Sequence, residues 1–105
     1  MSQQFNNVSV NPKANVYYDG KVVSFTVNFE DGTRKTMGLI YPGEYNFGTE
    51  AAENMAITDG TCKVKVKGAD DWTTYEGGQA FDVPANSSFD IVVESGIAQY
   101  VCSYG

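Results

Sequence analysis

The stretch YPGEYNFGTEAAE, Tyr41 to Glu53, decides how the whole chain is read. It lies between runs that alternate apolar and polar residues, the mark of half-buried strands. Tyr45 and Phe47 stand two apart, so on a strand they share one face. Upstream, VVSFTVNF sets Phe25, Val27 and Phe29 against Ser24, Thr26 and Asn28. Asp31-Gly32 then signals a two-residue turn, and RKTMGLIY returns as the partner strand. Downstream, CKVKVK places Cys62, Val64 and Val66 on one face. Lys63, Lys65 and Lys67 form a solvated row on the other, which also suits protection of a sheet edge. AFDVP and SFDIVVE are further strands, and AQYVCSY ends the chain with Tyr100, Cys102 and Tyr104 on one face. TEAAENM is the one candidate helical turn. The pattern predicts an all-β domain of about eight to ten strands, a barrel or a double-sheet jelly roll, over residues 16–105. A polar arm, residues 1–15, precedes it.

With 105 residues there is room for one modest core. Thirteen acidic against seven basic residues give a net charge of −6, which argues against nucleic acid as a partner. No apolar run approaches the ~20 residues of a membrane span, and the N-terminus has no apolar signal segment. A cytoplasmic protein without a membrane partner is expected, with Cys62 and Cys102 as reduced, buried thiols. The chain has no histidine, so no Ser-His or Cys-His nucleophile can form. Gly77 and Gly78 are followed by no helix and read as turn residues rather than a phosphate loop.

The spacing of the opening stretch resembles the first metal-binding signature of cupin jelly rolls. Tyr45 and Phe47 stand at its pair of histidines, Glu53 at its glutamate and Gly60 at its closing glycine. Gly78, Pro84 and Phe89 fall on the glycine, proline and histidine of the second signature. This resembles a cupin whose imidazoles have become aromatic, so neither a metal nor another cofactor is expected. Glu53 alone offers too few oxygens for a hard cation.

From Tyr17 to Tyr104 the chain further resembles the small, cupin-like pyrimidine/purine nucleoside phosphorylase family. The residues that carry this are YYDGKV, Arg34 with Gly38, GEYNFGT, Glu53 with Met55, Asp71-Trp72, YEGGQAFDVPANSSF and YVCSY. It departs from the family pattern at Ala85, where glycine is frequent, and at Ser103, where a basic residue is frequent. The resemblance implies phosphorolysis of nucleosides, with inorganic phosphate as co-substrate. The alternative class is a metal-free module that holds a small sugar or nucleoside without turnover.

Arg34 is the only arginine. A two-residue turn would pair Phe29 with Arg34 and set it on the side of Phe25 and Val27, where a guanidinium suits phosphate. A structural salt bridge and a plain surface position are the other readings. Glu53 is a candidate general acid for the leaving base, or a solvent-facing residue of the helical turn. Tyr45, Phe47 and Phe89 either hold the base by stacking, which tolerates any base, or fill the core. Thr49 either donates to phosphate or caps the turn, and Tyr75 either reaches the pocket mouth or packs. Met37, Leu39 and Tyr41, on the face opposite Arg34, predict a homodimer through that sheet.

Overall fold

A computed structural model describes residues 4–105; of the polar arm, residues 1–3 lie outside the described residues. The strands are β1 (Ser9–Val10), β2 (Asn15–Tyr17), β3 (Val22–Asn28), β4 (Arg34–Ile40), β5 (Gly43–Gly48) and β6 (Glu53–Asp59). There follow β7 (Thr61–Val66), β8 (Thr73–Glu76), β9 (Ala80–Val83), β10 (Ser88–Val93) and β11 (Ala98–Tyr104). All pair antiparallel in two sheets. The larger runs β1-β3-β4-β11-β6-β9, with β2 also on β3, and the smaller runs β5-β10-β7-β8. This is the expected all-β fold, two facing sheets of cupin type that do not close into one continuous barrel. The count reaches eleven because the arm supplies β1 and the first residue of β2. Both pair with the same strand, β3. Pro12 interrupts them, as a residue without an N–H does on a sheet edge.

Alternation builds the core. Met55 and Ile57 on β6, Phe81 and Val83 on β9, and Tyr100 and Cys102 on β11 point inward from the larger sheet. Cys62 and Val64 on β7, and Phe89, Ile91 and Val93 on β10, meet them from the smaller. Phe81 and Phe89 join the two layers edge to face, ring centres 5.6 Å apart. The lysine row does face outward, and Lys63 pairs with Glu94 at 3.1 Å. It guards no edge, however, because β7 lies between β10 and β8.

The β3–β4 turn differs from expectation by one residue. The Phe29 N–H bonds the Thr33 carbonyl at 2.9 Å and the Gly32 N–H bonds the Phe29 carbonyl at 3.1 Å, leaving the three-residue loop Glu30-Asp31-Gly32. Gly32 takes φ +88°, the left-handed bulge position of such loops. The Asp31 carboxylate holds this turn by accepting from the Thr33 N–H (2.9 Å) and hydroxyl (2.6 Å). Arg34 therefore pairs with Asn28, not Phe29. Since a one-residue shift flips every side chain, Arg34 joins the face of Ser24, Thr26 and Thr36. That is the inward face.

The segment TEAAENM is not helical. Residues 49–52 are an irregular connection with a bend at Glu50-Ala51, and Glu53 already begins β6. Helix-favouring Ala and Glu lose here because β6 is paired on both sides, by β11 and β9.

Candidate functional site

Between the two inner faces lies a pocket of ≈160 Å³. Its polar wall comes from the larger sheet: Ser24 on β3, Thr36 on β4, Glu53 on β6, and Tyr100, Cys102 and Tyr104 on β11. Its aromatic wall is Phe47 of β5, Phe89 of β10 and Tyr17 of β2. Register brings the polar groups together, since Thr36 stands opposite Cys102 and Glu53 opposite Tyr104.

Arg34, at the end of that inward face, is exposed and stands at the rim of this pocket rather than in its lining. Its guanidinium carbon lies 4.0 Å from the centre of the Tyr104 ring, a cation–π contact. Among the described residues the ion pair is Lys63–Glu94, so no carboxylate neutralises Arg34 at contact distance. The Tyr104 hydroxyl is 3.0 Å from Thr36 Oγ1, which fixes the ring beneath the guanidinium. Next to it, the Cys102 thiol donates to Glu53 Oε1 at 3.5 Å. Burial raises the Glu53 carboxyl above its ordinary value, against the smaller opposing effects of the thiol and the Arg34 charge. Burial, with the Glu53 charge behind it, pushes Cys102 up to about 12. Cys102 stays a thiol beside the Glu53 carboxyl.

The remaining predicted site residues divide. Phe47 and Phe89 line the pocket, their rings 5.8 Å apart. Tyr45 is buried and its hydroxyl donates to the carbonyls of Tyr41 (2.7 Å) and Pro42 (3.0 Å), so it braces the start of β5. Thr49 Oγ1 donates to the Pro84 carbonyl at 2.7 Å and accepts from the Ser87 N–H at 2.9 Å. That hydroxyl clasps two loops and is neither a helix cap nor a pocket donor. Tyr75 packs on Phe81 at 4.9 Å from β8, apart from the pocket walls. Tyr17, Ser24, Thr36 and Cys102 were not foreseen as site residues. The signal for two of them was there in the sequence: Ser24 and Thr36 are hydroxyl residues on strands whose neighbours at the same parity, Val22 and Ile40, are apolar.

The cupin fold commonly carries a metal, but these residues do not fit one. Two of the three imidazole positions are phenylalanine, and the third, Tyr45, has its hydroxyl engaged by two carbonyls. Among the described residues no three His, Cys, Asp or Glu side chains gather.

Sequence comparison now bears on the pocket. A family model described as pyrimidine/purine nucleoside phosphorylase matches residues 12–104. The chain belongs to the pyrimidine/purine nucleoside phosphorylase family. A relative of that name from Herminiimonas arsenicoxydans is 55% identical over 104 residues, covering 99% of each chain. A crystal structure of an Acinetobacter sp. ADP1 protein superimposes on this phosphorylase-family chain with TM-score 0.94 at 41% identity, covering 97% of this chain and 98% of that one. The EutQ protein of Clostridium difficile shares the fold at 15% identity, with TM-score 0.62 over 82% of this chain and 71% of its own.

Proposed function

We propose that this chain, a nucleoside phosphorylase by family, acts on both purine and pyrimidine nucleosides. Inorganic phosphate attacks C1′, the C1′–O bond forms as the C1′–N bond breaks, and the products are a free base and a pentose 1-phosphate. The observation that carries this reading is Arg34, a guanidinium with no carboxylate partner, set beside a half-buried acid, Glu53. The guanidinium suits the phosphate, which it can grip with two parallel N–H bonds. Glu53, held toward its protonated form by burial, suits protonation of the departing base. The aromatic wall of Tyr17, Phe47 and Phe89 offers ring surface rather than hydrogen-bond readout, which fits breadth of base acceptance. Positioning and electrostatics then supply most of the acceleration, and the donor set favours a reaction with no metal or other cofactor.

A base-release assay with uridine and with adenosine, each with and without phosphate, tests this. Release from both nucleosides only when phosphate is present is expected. Release without phosphate means a hydrolase, and saturable nucleoside binding without release means a binding module.

We also propose a homodimer. The outer face of the larger sheet holds a broad hollow that contains no charged side chain, with Phe25 and Met37 each 38% exposed. Two chains of net charge −6 repel elsewhere and can approach through such a face. The two free, buried thiols fit a reducing cytoplasm. No helix among the described residues is long and apolar enough to cross a membrane.

A further inference from the structure

Tyr17 stands at the mouth of the pocket, 45% exposed, whereas Phe89 within is only 3% exposed. It meets Phe47 edge to face at 5.7 Å. The residues after it are unusual: Tyr18 (φ 50°) and Asp19 (φ 56°) are successive non-glycine residues in the left-handed region, followed by Gly20 at φ 91°. Such conformations are costly and persist only where the surroundings impose them. Here the imposing contact is visible. The Tyr18 hydroxyl donates to the Asn46 carbonyl at 2.6 Å and accepts from the Asn46 N–H at 3.1 Å. Asn46 belongs to β5, the open edge of the smaller sheet. The phenol thus satisfies one residue of a bare strand edge and ties β2 to β5 across the seam between the sheets. The Tyr18 ring, 5.0 Å from Tyr45 and 5.6 Å from Phe47, packs the same hook down. Tyr17 is held at the mouth as a consequence.

The size of the pocket says what Tyr17 is for. At ≈160 Å³ it matches the roughly 150 Å³ cavity that takes a single benzene. A nucleoside with its phosphate brings three groups of about that size or smaller. C1′ must lie by Glu53 and the phosphate by Arg34, so the base is the group left at the mouth. Resting on the phosphorylase reading above, we infer that Tyr17 is the nucleobase platform: the base stacks on its exposed ring at the mouth, while the pentose lies within and the phosphate rests against the exposed Arg34 guanidinium at the rim. A stacking surface at an open mouth presents no fixed hydrogen-bond pattern. Both purines and pyrimidines fit it.

The test uses the full chain with Tyr17→Ala and Tyr17→Phe. Tyr17→Ala should raise KM for adenosine and uridine on the order of tenfold, the scale of one lost base–aromatic stack, and leave KM for phosphate unmoved. Tyr17→Phe should restore the nucleoside KM, since it keeps the ring. Equal nucleoside KM in wild type and Tyr17→Ala, or an equal rise for phosphate, overturns the platform. Calorimetric titration with adenine, in the absence of phosphate, separates this inference from the reaction itself because it needs no turnover. Weaker adenine binding by Tyr17→Ala supports the platform even if no base is ever released. Adenine binding that is absent in wild type, or unchanged in Tyr17→Ala, overturns it even if phosphorolysis is confirmed.

Discussion

Arg34 and Glu53 flank Tyr104, and substitution should separate the two roles proposed for them. Arg34→Ala should weaken use of phosphate by roughly 1.5–3 kcal/mol, the range for a hydrogen bond to a charged group. Arg34→Lys should recover only part of this, because an ammonium keeps the charge and loses the planar fork. Measured KM for phosphate decides, and an unchanged value removes Arg34 from the site. Glu53→Gln should lower kcat by on the order of 10²–10⁴. Its effect on stability should run the other way. The folded Glu53 carboxyl is raised above its ordinary value of 4.5 by burial, so its favourable contribution is present below that value and is lost as pH rises through the folded one. At pH 7 the always neutral glutamine should therefore melt no lower than wild type, as thermal denaturation will show. The fall in kcat on the alkaline side should vanish in the same variant. Glu53 and Arg34 could be picked out as candidates from residue type and spacing. That Tyr45 and Thr49 serve the scaffold was not legible, because their hydroxyl partners are carbonyls and an N–H brought close only by folding.

At the scale of elements, alternation located the long strands other than β6, whose first residues read as a helical turn. Register was harder. Asp31-Gly32 reads as a two-residue turn, and only the side-chain bonds from Asp31 to Thr33 reveal a three-residue loop. The extra loop residue moves Arg34 from the face of Phe25 and Val27 to that of Ser24 and Thr36. Gly32→Ala should cost about 1–2 kcal/mol, the penalty of a left-handed residue with a Cβ, and urea denaturation will measure it. Thr49→Val leaves the Ser87 N–H and the Pro84 carbonyl without their partner and should cost about 1–3 kcal/mol. It should leave KM for phosphate unchanged; a raised KM would return Thr49 to the binding site.

The whole molecule is two sheets leaning together, with a small pocket between them and, on the outer face of the larger sheet, a hollow lined by uncharged side chains. Phe25 and Met37 lie opposite each other on β3 and β4 at that outer face. Met37→Glu should therefore shift the light-scattering mass from dimer to monomer while the pocket, on the opposite side of the sheet, is untouched. A monomeric mass for the wild type would defeat the dimer outright. At this scale the sequence was most readable, since fold class follows from pattern alone. The pocket's size and the hook at its mouth could not be read, because both depend on how far apart the sheets stand and where β5 ends up relative to β2.

The central claim is that phosphate, not water, takes the pentose. Phosphorus NMR of the wild-type protein with uridine and inorganic phosphate tests it most directly. A new phosphate monoester resonance growing in step with free uracil, and slowed in Arg34→Ala, is the predicted result. Uracil appearing while the inorganic phosphate signal stays constant would contradict it.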